Sequence, residues 1–145
     1  EARDSASWPF MFIITCGTND QRMKDGQVET SLDQFEENIK KIIKIAKQYT
    51  DNIVFIGLPP LAKPSVMLKT AEYSDQRIKT YDERLQSVVE SSELPFLPVR
   101  PIFEDAGIEG LFCYDSAHPN DEGHELIANI IRHYLKRGEN NRERE

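Results

Sequence analysis

Cysteine is scarce in this sequence, positive charge is outnumbered, and no apolar run is long. Cys16 and Cys113 are the only two cysteines, and their separation fits neither a disulfide framework nor a metal-ligand pattern. Cys16 closes an apolar stretch and reads as a small core residue rather than a reactive thiol. The net charge of −7 argues against nucleic acid or an anionic membrane as the main partner, since both call for clustered Lys and Arg. The basic stretches, Lys40-Lys41 and Arg132 to Arg137, are interleaved with apolar residues on expected helices and read as solvated faces. No run approaches the about 18 apolar residues of a transmembrane segment, and no charged n-region with a small-residue cleavage site is recognisable. The chain starts at Glu1 without methionine, so the compartment is weakly determined, with the cytoplasm slightly favoured over export after removal of a signal peptide. There is no internal repeat and no low-complexity tract.

What is present is the composition of a soluble globular domain, 39% hydrophobic and 30% charged over 145 residues, enough for one core and expected to form a single domain, 1–145. Residues 1–8 are polar, the tail of a helix or a loose terminus. Phe10 to Cys16 then runs without a polar break up to Gly17, as a strand buried on both faces does. A polar loop is expected from Gly17 to Thr30. Ser31-x-x-Gln34 resembles a capping box, and Leu32, Phe35, Ile39, Ile42, Ala46 and Tyr49 follow at helical spacing, predicting a helix over 32–49. Asn52 to Leu58 predicts a second strand, ended by Pro59-Pro60. The stretch to Ser74 reads as irregular, with room for a short helical turn. Ile78, Tyr81, Leu85 and Val88 mark a second helix, Pro95 to Val99 a short strand near a sheet edge, 100–115 a loop, and Leu126, Ile127, Ile130 and Ile131 a last helix to about Leu135. The tail from Gly138 is expected to fray. Strands alternating with helices predict an α/β fold with a parallel sheet, whose ligand site lies outside the carboxyl ends of the strands.

Two stretches on that rim carry chemistry. Asp115-Ser116-Ala117-His118-Pro119-Asn120 places an acid and an imidazole three residues apart in a turn. The carboxylate can fix the imidazole tautomer and leave the far ring nitrogen free to take a proton. Pro119 biases His118 towards extended backbone, and Asn120 is a good N-cap for the last helix. The helix N-terminus disfavours the imidazolium that Asp115 favours, a balance that suits a general base. A surface histidine in a capped turn is the plain alternative. Gly17-Thr18-Asn19-Asp20 is the other stretch: Gly17 permits a sharp turn, Asn19 carries an amide donor for a developing oxyanion, and Asp20 can lock the loop by accepting backbone N–H groups. An ordinary strand-exit turn would look the same. A metal site from Asp115, His118, Asp121 and His124 is disfavoured, because the two histidines are badly spaced for one helical face.

Taken together, an apolar strand ending in Gly-Thr-Asn-Asp and a later Asp-x-x-His-Pro resemble the SGNH (GDSL-type) hydrolase family of esterases and lipases. The likeness extends from the Phe10 strand through Leu58-Pro59-Pro60 to Pro119-Asn120 and Gly123. It implies a flavodoxin-like three-layer α/β/α sandwich and metal-free, cofactor-free hydrolysis of a small-molecule ester or acetylated substrate. By the same resemblance His118 would be the general base, Asp115 its orienting acid and Asn19 an oxyanion-hole donor, with Gly17 and Asp20 in the supporting loop.

The sequence departs from that family at the nucleophile. The Gly-Asp-Ser block is missing; Asp4-Ser5 follows Arg3 instead of glycine and has no strand before it, and Ser116 lies inside the Asp/His turn, awkwardly placed for attack. The expectation is therefore a C-terminal part of a larger hydrolase, with its N-terminal strands outside this sequence. An edge of Phe, Met, Phe, Ile and Ile also calls for cover, by upstream residues, a second chain or a swapped copy. A non-catalytic α/β ligand-binding or interaction domain that keeps the rim but lacks the nucleophile is the alternative.

Overall fold

The computed structural model of the protein describes residues 10–142; Ser5 and the polar stretch 1–8 lie outside the described residues. Three strands, β1 (Phe12–Ile14), β4 (Ile53–Ile56) and β7 (Phe96–Leu97), form a parallel sheet in the order β1-β4-β7. Phe12 pairs with Ile53 and Ile14 with Phe55, while Phe55 and Ile56 pair on the other side with Phe96 and Leu97. All four residues of β4 are buried, as a central strand covered on both faces requires. Side chains alternate across it. Ile53 and Phe55 enter one core with helices α1 (Leu32–Ala46) and α2 (Asp75–Ser91), whereas Ile56 enters another with Val99, Phe103, Leu111 and Phe112. Against that second core lie Leu126, Ile127, Ile130 and Ile131 of the last helix, α4 (Asp121–Arg142). The result is helix, sheet and helix in three layers.

Local chemistry explains the helices that cross over the sheet. Ser31 caps α1 by accepting the Gln34 N–H at 3.2 Å, and Phe35, Ile39, Ile43 and Ala46 form one buried stripe. The capping box is half made: the Gln34 side chain turns to Asn38 instead of back to Ser31. Ser74 caps α2 through Arg77 N–H, and Ile78, Tyr81, Leu85, Val88 and Val89 face inward.

Three stretches differ from the sequence reading. The expected polar loop 17–30 contains a hairpin, β2 (Met23–Lys24) and β3 (Gln27–Val28), turned at Asp25-Gly26 with φ of 52° and 77°. Asp-Gly is a favoured pair where both central residues need positive φ. The expected irregular segment before Ser74 is a second hairpin, β5 (Ser65–Leu68) and β6 (Ala71–Ser74). Met23 pairs with Glu72, so the hairpins join in a four-stranded antiparallel sheet, β3-β2-β6-β5. The expected loop 100–115 holds helix α3 (Arg100–Ala106) and a 3-10 turn, Ile108–Leu111. Pro101 lies in the first turn of α3, where its missing N–H costs no bond. The last helix also continues past Leu135 and Gly138 to Arg142.

β7 is an edge strand, and β1 is the other edge of the parallel sheet among the described residues. Phe10 and Ile13 beside that free edge are 41% and 42% exposed. No described helix is long and apolar enough to cross a membrane.

Candidate active site

The Asp115–His118 turn is a closed loop. Phe112 and Pro119 form an antiparallel bridge, Cys113 N–H donates to His118 O at 2.8 Å, and Ser116 N–H donates to Cys113 O at 2.9 Å. Closing so short a loop puts Ser116 at φ 61°, a conformation that costs a non-glycine residue about 1 kcal/mol. Within the loop, Asp115 Oδ1 accepts the N–H groups of Ala117 and His118, both at 3.0 Å, and Oδ2 lies 2.7 Å from His118 Nδ1. The two backbone N–H bonds, His118's before Ala117's, and then the imidazole contact pull the Asp115 carboxyl down to about 2. An ionised partner assigns the proton to Nδ1 and leaves Nε2 as the free basic nitrogen. The His118 side chain is 70% exposed and that of Asp115 20%, so the ring faces solvent and its anchor does not.

This turn is bolted to the exit of β4. Ala62 N–H donates to Ser116 O at 2.9 Å. The preceding residues offer few backbone donors, because Pro59 and Pro60 have none. Both N–H groups that flank the prolines are taken by carboxylates of α2: Leu58 by Asp82 Oδ1 at 2.7 Å and Leu61 by Asp75 Oδ1 at 2.8 Å. Asp75 is in turn gripped by Arg100, which is buried at the start of α3. Burial pushes the Asp82 carboxyl up, against the Leu58 N–H and the Arg100 charge, which pull it down. On the C-terminal side, Asn120 caps α4 through Gly123 N–H at 3.0 Å and donates from Nδ2 to Gly110 O at 2.8 Å.

The Gly17–Asp20 loop leaves β1 beside the same exit. Gly17 has φ 128°, and a Cβ there would come within 3.0 Å of the Phe35 ring and 3.3 Å of a Leu58 methyl. Asp20 N–H donates to Gly17 O and Arg22 N–H to Asn19 O, forming two successive turns. Asp20 does not lock the loop as expected: its main-chain oxygen accepts Thr30 N–H, while no hydrogen bond to its carboxylate is found among the described residues. The lock is Gln21, fully buried, which donates to Thr18 O and accepts Ser74 N–H. Asn19 is exposed, and its Oδ1 accepts from the Tyr73 hydroxyl at 2.9 Å.

Asp115 and His118 are thus in direct contact. Asn19 shares no hydrogen bond with them among the described residues, and its loop reaches their mount through the Gly17–Leu58 contact. Asp121 and His124 add nothing to the pair, since no group of three or more His, Cys, Asp or Glu side chains converges as a metal site among the described residues. Cys16 is partly buried against the core, and burial first and Asp20 second push its thiol up, as suits an inert thiol. A depression of about 370 Å³ between the end of β1 and α1, lined by Cys16, Asp20, Phe35, Ile39, Ile42 and Ile45 among others, reaches this rim at Asp20 but does not include His118. The residues that sequence reasoning missed are Gln21, Tyr73, Asp75, Asp82 and Arg100. Only the donor-poor Pro59-Pro60 pair hinted that acceptors had to come from elsewhere.

Hydrolases are among the solved structures that this fold matches. A GDSL-like lipase from Bacteroides thetaiotaomicron VPI-5482 superposes with a TM-score of 0.71 at 19% identity, over 90% of this chain and 63% of its own. A lipase/acylhydrolase from Enterococcus faecalis gives 0.69 at 21% identity, over 88% and 62%. An acetylxylan esterase from Geobacillus stearothermophilus gives 0.65 at 18% identity, over 88% and 60%. At these identities the likeness is one of fold, and the chain spans about three-fifths of the length of each. No curated protein matches the sequence. The profile of the GDSL-like Lipase/Acylhydrolase family matches residues 5–126, from before β1 to the first turns of α4, and the chain belongs to that family.

Proposed function

We propose that this chain supplies the base and the oxyanion donor of a serine ester hydrolase. The reading is carried by the Asp115–His118 contact of 2.7 Å, made by a carboxylate whose other oxygen is already held by two backbone N–H groups. A carboxylate fixed in this way orients the ring and stabilises the imidazolium that forms during proton transfer. In the reaction, His118 Nε2 takes the proton of a serine hydroxyl as its oxygen bonds to the acyl carbon. Asn19 Nδ2 donates to the oxygen that gains negative charge. His118 then passes the proton to the departing alcohol as the ester C–O bond breaks, and water, activated by the same ring, releases the acid from the acyl-enzyme. No step calls on a metal or cofactor.

The serine is supplied from outside the described residues. Ser116 is ill placed for it, being buried and turned into the loop that encloses Asp115. A segment pairing with the free edge of β1 is the natural source: it would satisfy the outward backbone groups of Phe12–Ile14, shelter Phe10 and Ile13, and enter the active rim beside Gly17. Upstream residues of the same polypeptide fit best, given that the relatives are longer, with a second chain as the other route. The substrate class is a small ester or acetylated molecule, in keeping with the lipase, acylhydrolase and acetylxylan esterase of the structural neighbours.

The test is turnover of a short-chain p-nitrophenyl ester by the full-length protein. His118→Ala should abolish it, and unchanged turnover would remove the assignment. A fluorophosphonate probe should label one serine; absence of labelling in an intact, folded protein would favour a non-catalytic ligand-binding domain.

A further inference from the structure

Asn19 has an amide that can present either its oxygen or its nitrogen to a neighbour, and only one choice leaves a donor facing the reaction. The neighbour is the Tyr73 hydroxyl on β6, 2.9 Å from Asn19 Oδ1. An amide oxygen has no proton to give, so in this contact the hydroxyl donates and Oδ1 accepts. Arg22, at the foot of the β2–β3 hairpin, precedes Met23, which pairs with Glu72 next to Tyr73. Its guanidinium is held by Glu29, with Nη2 to Oε1 at 2.8 Å. Glu29 first and the Tyr73 hydroxyl second raise the arginine's affinity for its proton.

A guanidinium has donors and no acceptor, so Arg22 cannot compete for the phenol proton. The single O–H of Tyr73 is given to Asn19 Oδ1. Because Oδ1 and Nδ2 project to opposite sides of the amide carbon, Nδ2 is turned away from Tyr73.

We infer that Tyr73 is the positioning residue that fixes the Asn19 side-chain amide with its N–H donors directed outward. This inference rests on the reading of Asn19 as the oxyanion donor. It gives the antiparallel sheet a role in the chemistry, since β6 carries the hydroxyl that holds the amide. The ring of Tyr73 is buried, so the hydroxyl cannot swing out to another partner.

The experiment is a double-mutant cycle in the full-length protein. Tyr73→Phe keeps the ring and should lower kcat about 10-fold with KM nearly unchanged, while Asn19→Ala should lower kcat about 100-fold or more. Tyr73→Phe should then cost nothing further in the Asn19→Ala background. The inference is overturned if Tyr73→Phe leaves kcat unchanged, or costs as much without Asn19 as with it. A readout independent of turnover is the Asn19 side-chain amide signal in 1H–15N spectra, which Tyr73→Phe should shift; an unmoved signal also overturns it. His118→Ala separates the two levels: if it abolishes turnover while Tyr73→Phe is silent, only the positioning role fails, and if it too is silent, the hydrolase reading fails first.

Discussion

Asp75 and Arg100 hold one another through two parallel hydrogen bonds, Nη1 to Oδ2 at 3.1 Å and Nη2 to Oδ1 at 3.0 Å, and the shared Oδ1 also takes the N–H of Leu61. Arg100 is buried, and its Nε has no partner among the described residues, so the pair is the arginine's chief compensation for leaving water. Asp75→Ala strands that charge and the Leu61 N–H together and should cost about 3–5 kcal/mol. Replacing both partners, as Asp75→Asn with Arg100→Met, should cost less than Asp75→Ala alone. Denaturant unfolding of the two variants beside wild type checks the order.

Asp82 predicts a pH dependence of the opposite kind to a surface acid. Burial raises its folded-state pKa above the ordinary value of 3.8. The folded protein therefore holds this proton more tightly than the unfolded chain, and stability falls as pH rises from about 4 through the folded value. Asp82→Asn keeps an oxygen for Leu58 N–H and does not titrate, so its stability relative to wild type should improve across that window. Asp82→Ala leaves the N–H bare and should cost about 1–3 kcal/mol at pH 4, a cost that shrinks across the same window because alanine does not titrate either. Thermal unfolding from pH 4 to 8 distinguishes them.

Asp115 has the reverse sign. Its folded-state pKa is lowered from 3.8 to about 2, so its contribution to stability is complete above about pH 4 and is lost as pH falls towards 2. In Asp115→Asn the amide oxygen can still accept the turn's N–H groups, yet the ring loses its anion and Nε2 gains the proton. The expected result is a drop in kcat of about 10³- to 10⁴-fold, with a stability deficit at neutral pH that vanishes near pH 2. Ester turnover and acid unfolding curves measured together test both halves.

How much of this was readable in the sequence follows from how far apart the partners lie. Asp115 and His118 are three residues apart, so spacing alone suggested their contact, and the helical spacing of Leu32, Phe35, Ile39, Ile42, Ala46 and Tyr49 announced α1, whose buried stripe takes Ile43 in place of Ile42. The antiparallel sheet was hidden because its strands are short and its central pairing joins Met23 to Glu72; Asp25-Gly26 and the alternation of Val66, Leu68, Ala71 and Tyr73 were its local traces. Helix α3 was hidden by Pro101, which reads as a breaker and acts as a starter. The turn at Gly17 to Asp20 was legible, but not the contact of Asn19 with Tyr73, 54 positions away. Likewise Asp82 finds Leu58 across 24 positions, and nothing in its neighbours' sequence marks it as an acceptor.

Gly123→Ala should be among the most damaging single-methyl additions. A Cβ at this position would fall 2.4 Å from Leu111 O and 2.9 Å from Pro119 Cβ. The carbonyl cannot retreat, since it also accepts the Asn120 N–H at 2.9 Å. Separating α4 from the 3-10 turn should cost about 3 kcal/mol and loosen the loop that carries His118. A lowered unfolding midpoint together with reduced kcat is the expected outcome.

The Pro59-Pro60 exit has an effect on what the protein is free to change. With two residues that have no N–H and both flanking N–H groups already spoken for, the main-chain donors of this corner are settled from within the fold. The pedestal beneath the histidine is thus fixed by α2, and the tip of the β5–β6 hairpin, with its outward Met67, can vary so long as Tyr73, Ser74 and Asp75 at its root are kept.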